Sequence, residues 1–189
     1  MLRWMLAVCA MACMAVPARG QAATGMKRGI TIELGGGFGH TQFNAGQGWP
    51  NVNGFYGTAA INLSNWVQIF GDASWQGGAI PQGNTRLIGN HLGARFYARP
   101  KSGSLSPFGE FMAGVSRLDL NLTAAHQHFS EHGFSFRAGG GLDVQVSRHW
   151  SVRAIDVDYY RTSFLQSHQN NLWLSAGVVF TIGNPKYPD

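Results

Sequence analysis

The segment 134–146, FSFRAGGGLDVQV, alternates in character over most of its length. Phe134, Phe136, Ala138, Leu142, Val144 and Val146 share one parity, and Ser135, Arg137, Asp143 and Gln145 share the other. Strand side chains point alternately to opposite faces, so one face is apolar and the other polar and charged. The segment 170–183 repeats this, with Leu172, Leu174, Ala176, Val178, Phe180 and Ile182 opposing Trp173, Ser175, Gly177, Val179 and Thr181. A half-buried strand of a soluble protein has the same period. The deciding question is whether the apolar faces meet a protein core or lipid.

Eight such segments follow one another: Ile30–Phe38, Phe55–Leu63, Val67–Trp75, Ile88–Phe96, Pro107–Arg117, 134–146, Arg153–Arg161 and 170–183. Six of the nine acidic residues fall on the polar faces: Glu33, Asp72, Glu110, Asp143, Asp156 and Asp158, with His91, Arg95 and Arg137 beside them. In the seventh segment Ile155, Val157 and Tyr159 oppose the two aspartates, and Arg153 and Arg161 are read at the ends of the apolar face, where arginines can snorkel. The links alternate short (64–65, 99–106, 147–150) and long (40–52, 76–84, 119–132, 162–170). Short turns on one side and long links on the other, over an even strand number, match a transmembrane barrel. The inverse, a lipocalin-like soluble barrel, would turn all these charges outward. The expectation is an all-β, eight-stranded antiparallel up-and-down transmembrane barrel.

The chain begins with Arg3, an apolar run from Met5 to Val16, and then small residues. That run is shorter than a membrane-spanning helix and reads as a signal peptide, residues 1–22, cleaved on export. The barrel domain is then 23–183 and a short tail 184–189. Both cysteines, Cys9 and Cys13, lie in the leader, so the mature chain has no disulfide, catalytic thiol or cysteine metal site. Beyond the leader nothing approaches 18 consecutive apolar residues. The net charge of +5 does not point to nucleic acid, because no basic run carries interleaved aromatics and the chain is exported.

The last strand ends SAGVVFTI, with Ser175, Gly177, Phe180 and Ile182. This resembles the C-terminal signal by which the barrel-assembly machinery recognises its clients, with Ile182 where an aromatic is usual. Over its mature length the chain resembles the small eight-stranded outer-membrane barrels: the transmembrane domain of outer-membrane protein A, its opacity-protein-like relatives and the "outer membrane protein beta-barrel domain" families. The segment from Gly139 to Phe180 is especially similar. The resemblance implies a Gram-negative outer-membrane location, a monomeric barrel and a non-enzymatic role. Peptidoglycan tethering is not carried over, since no matching domain follows the barrel.

An eight-stranded barrel encloses a space that side chains just fill. The inner charges therefore either pair and plug the lumen or line a narrow porin-like path. GGGFG (35–39) and GGG (139–141) precede no helix and lack the geometry of a phosphate loop. His126, His128 and His132 could hold zinc or copper at the surface, against the plainer reading of solvated loop histidines. No metal and no cofactor is assigned. Lipid A-modifying enzymes share this architecture, but the deacylase pattern His-x-Ser-Asn is missing. Ser163, His168 and Asp158 form a triad only on paper. Arg86, Arg117 and Arg161 fall at the outer strand ends, where lipopolysaccharide phosphates would lie. The reading is a non-enzymatic outer-membrane scaffold displaying four loops. A narrow channel and a lipid A-modifying enzyme are the alternatives.

Overall fold

The computed structural model describes residues 31–43, 51–64, 66–80, 83–98, 105–122, 127–164 and 167–183. The leader at 1–22, Ile30, His126 and the tail at 184–189 lie outside the described residues. The described chain forms eight strands: β1 (Thr31–Phe43), β2 (Val52–Asn62), β3 (Val67–Ile80), β4 (Gly83–Tyr97), β5 (Leu105–Leu122), β6 (Gln127–Gln145), β7 (Trp150–Phe164) and β8 (Ser167–Ile182). Each pairs antiparallel with the next, and β1 pairs with β8, so the sheet closes on itself. Closure satisfies the backbone of every strand without water, the condition for crossing a bilayer with strands.

The barrel is built inside out. Among the described residues, twenty-three polar or charged ones are buried against fourteen hydrophobic ones. Large apolar side chains such as Phe55, Leu92, Phe111 and Val178 stand half-exposed or more on the outer surface. A soluble barrel would reverse this order. Trp66 and Trp150 are exposed near the rim that carries the ends of β1 and β8 (the terminal rim), as in an interfacial aromatic girdle.

Two described turns at the terminal rim, after β2 and after β6, are tight. The Ser64 hydroxyl accepts hydrogen bonds from the Trp66 and Val67 amides at 3.3 and 3.0 Å, and the Ser147 hydroxyl accepts from the Trp150 amide at 3.3 Å. At the opposite, distal rim most of the segments read as long links are strand. β5 and β6 pair as far as Leu122↔Gln127, and β7 and β8 as far as Phe164↔Ser167. These ends are polar, so they lack the apolar alternation that marks the lipid-facing part.

Arg153 corrects the sequence reading. It is 1% exposed and faces the lumen, not the lipid. The β7–β8 register shifts between Arg153 and Asp156, and β6–β7 shifts between Leu142 and Asp143. Ala154 and Ile155 are both exposed, so the strand gains one residue there and the parity inverts.

Candidate functional site

The lumen holds most of the residues singled out from the sequence, in three tiers. Nearest the terminal rim, Arg153 binds Asp143 through two nitrogens, Nε to Oδ1 at 2.9 Å and Nη2 to Oδ2 at 3.2 Å. The Tyr97 hydroxyl donates to the same carboxylate at 2.9 Å. Arg95 pairs with Glu110 and donates through Nη1 to Gln68 at 2.9 Å, while Gln68 and Asn62 both donate to Glu33 at 2.7 Å. Phe108 lies beside both guanidiniums, 4.7 Å from that of Arg95 and 4.8 Å from that of Arg153. Such planar cations combine forked pairing with stacking on aromatic faces.

In the middle tier Arg137 reaches Asp72 at 2.8 Å and lies 4.3 Å from the Trp173 ring centre. Asp156, Asp158 and Glu110 gather beside it. Trp173 fits because β1 carries Gly39 opposite Ser175: a Cβ there would stand 2.6 Å from the indole. Within the glycine run of β1, Gly39 makes room for a large neighbour.

Toward the distal rim charges give way to neutral polar and apolar side chains, with Thr41 donating to Gln76 at 2.7 Å and Asn171 to Thr162 at 3.2 Å. His91, Ser135, Ser116 and Tyr160 form a chain of hydrogen bonds at 2.9, 2.7 and 2.6 Å. Above it Phe43, Val52, Leu87, Leu118 and Phe164 pack with Tyr56, Tyr160 and Trp173 into one buried cluster. Arg153 apart, the periodicity of the strands showed which of these residues face inward. It did not show that apolar residues of six strands gather into one cluster near the distal rim.

The remaining candidates lie outside the lumen. Arg86 and Arg117 both point outward and flank Asp119: Arg117 Nε is 2.8 Å from its carboxylate and Arg86 is its cross-strand partner. Arg86 also sits 5.3 Å from the Trp75 ring centre. Arg161 lies two strands further round, opposite Asn170, and does not join them. Ser163 and His168 do meet, at 3.0 Å on the outer surface, but Asp158 is wholly buried in the lumen and cannot complete a triad. His128 and His132 lie in β6, four residues apart on one face, which separates their Cα atoms by about 13 Å. That distance is too long for one metal ion to bridge. Of the assembly-signal residues, Ser175 faces inward toward Asp156 at 3.3 Å, Gly177 pairs with Gly37, and Phe180 contacts Trp150 with ring centres 4.8 Å apart. Ile182 is exposed at the end of β8.

The profile of the family described as "Outer membrane protein beta-barrel domain" matches residues 5–180. The chain belongs to this family. As a family member it is an outer-membrane barrel protein, and solved barrels of small size share its fold. Neisserial surface protein A superposes with a TM-score of 0.58 at 14% identity, covering 81% of this chain and 97% of that one. The attachment invasion locus protein Ail of Yersinia pestis gives 0.53 at 16% identity, covering 79% and 98%. The N-terminal barrel of Pseudomonas aeruginosa OprF gives 0.51 at 14% identity, covering 80% and 97%. No curated protein matches the chain significantly. At these identities the likeness is one of fold, and the site belongs to this barrel's own residues.

Proposed function

We propose that this outer-membrane barrel is a closed, monomeric, non-enzymatic scaffold that presents four hairpins to the cell exterior from its distal rim. The observation that carries this reading is the filled lumen. Guanidinium–carboxylate pairs fill it toward the terminal rim, and the cluster around Phe43, Leu87, Leu118 and Phe164, with buried Thr41, Gln76, Thr85, Thr162 and Asn171, fills it toward the distal rim. Packed side chains there, apolar ones interleaved with polar, leave no continuous wide path for a hydrated ion, so a porin-like role is disfavoured. Among the described residues no acid is hydrogen-bonded to the exposed Ser163–His168 pair, which weighs against hydrolysis.

Lipopolysaccharide is the proposed surface partner. Arg86 and Arg117 project outward near the distal rim with Arg161 on another side, and guanidinium forks match phosphate oxygens. During biogenesis the C-terminal strand, with Ser175, Gly177, Phe180 and Ile182, is the proposed handle for the barrel-assembly machinery. Two experiments test the reading. Reconstituted in planar bilayers, the protein gives no discrete conductance steps; a stable open level would end the scaffold reading. The triple variant Arg86→Gln, Arg117→Gln, Arg161→Gln loses stability in lipopolysaccharide bilayers and not in neutral detergent. Equal losses would remove the lipid partner.

A further inference from the structure

Gly77 is an exposed glycine on the outer face of β3, with Asn53 of β2 opposite it on one side and Arg86 of β4 on the other. Two strand spacings, about 10 Å, separate the Asn53 and Arg86 backbones, and the residue between them has no side chain. Among the described residues a Cβ at Gly77 would meet only the Thr85 carbonyl oxygen, at 3.7 Å, so the position is an open notch. Both of its walls carry unused donors. The Asn53 amide oxygen lies 2.7 Å from His40 Nδ1, and among the described residues Asn53 Nδ2 makes no hydrogen bond. Arg86 pairs with no carboxylate among the described residues and lies 5.3 Å from the Trp75 ring centre. Asp119 stands on the far side of Arg86 from Gly77 and is already held by Arg117 at 2.8 Å.

The aromatic residues beneath the notch fix its level in the bilayer. Phe38, Phe55 and Trp75 are cross-strand partners in turn along β1, β2 and β3, one outward position nearer the terminal rim than His40, Asn53 and Gly77. All three are half-exposed or more, and Phe38 meets Phe55 edge to face with ring centres 5.9 Å apart. Aromatic girdles of membrane barrels stand where hydrocarbon gives way to headgroups, so the notch opens on the headgroup side of this arc. We propose that Asn53, Gly77 and Arg86 form a seat for one phosphate group of lipopolysaccharide. The Arg86 fork takes two phosphate oxygens and Asn53 Nδ2 donates to a third. The missing side chain at Gly77 lets the group approach the sheet between them. With the Asn53 oxygen engaged by His40, the two walls present donors, which suits an anion. This inference rests on the lipopolysaccharide partner proposed above and narrows it to one face of the barrel.

The test folds the mature chain into phosphatidylcholine vesicles that contain lipopolysaccharide, or the same lipopolysaccharide stripped of its lipid A phosphates. The unfolding temperature is read by the gel shift. Wild type is expected to unfold at a higher temperature with the phosphorylated lipid, because a ligand that binds only the folded state stabilises it. Gly77→Leu fills the notch, and Asn53→Ala removes an uncharged donor. Each is expected to lose most of that rise and to match wild type in the dephosphorylated vesicles. Neither variant alters the charge of the protein, so the loss separates a shaped seat from general attraction to positive charge. If Gly77→Leu does not fold, Asn53→Ala decides alone. A wild-type rise that either folded variant keeps in full overturns the seat and leaves the lipopolysaccharide partner standing. A wild type that shows no rise overturns the partner, and the seat with it.

Discussion

Leu92 projects from the middle of β4 and is 66% exposed, directly opposite Gly71 and Ala113 on the neighbouring strands. In a bilayer that surface meets acyl chains. Leu92→Arg should therefore cost about 2–4 kcal/mol in denaturant titrations of bilayer-folded protein. Arg153 behaves in the opposite sense. Buried against Asp143, it cannot be removed without stranding a carboxylate that Tyr97 alone then serves. Arg153→Ala should destabilise by about 3–5 kcal/mol, whereas the paired change Arg153→Met with Asp143→Leu should cost far less. An arginine snorkelling at the lipid interface would show neither the large single loss nor its recovery. Arg153 was misplaced from the sequence because one inserted residue inverts strand parity. The trace it leaves is local: Ala154 and Ile155 are adjacent and apolar, set between charges three residues apart. A strict period of two cannot span that interval.

At the scale of elements, the lipid-facing half of each strand was legible because bilayer contact imposes apolar alternation. The distal halves were not, because outside the bilayer nothing imposes it. The β5–β6 hairpin shows this most clearly, with strands of 18 and 19 residues, against the roughly 9–11 that a bilayer crossing requires. Asp119 pairs with Ser130, and beyond them the hairpin runs on to Leu122 and Gln127. Replacing residues 121–128 by a two-residue Asn-Gly turn, which keeps Leu120 against the buried cluster, should leave folding yield and unfolding temperature close to wild type, as read by the gel shift. Loss of the folded form would mean that the hairpin supports the barrel. The lumenal residues were legible one strand at a time, as inward parity. Which carboxylate meets which guanidinium was not, since Arg137 joins Asp72 from β6 to β3 across the barrel axis.

For the whole molecule, closure of β1 onto β8 leaves no free edge, so unfolding has no strand end at which to begin. Unheated protein should run faster on a denaturing gel than boiled protein and should sediment with outer membranes. Residues 23–189 contain no cysteine, which allows single-cysteine labelling at any position. The central claim is the inside-out arrangement, and β8 tests it most directly. A fluorophore placed singly at 172, 174, 176, 178 and 180, and then at 171, 173, 175, 179 and 181, reports contact with brominated lipid. Strong quenching at the even positions and little at the odd ones is the predicted result. Quenching that favours the odd positions, or shows no period of two, would contradict a barrel whose apolar face meets lipid.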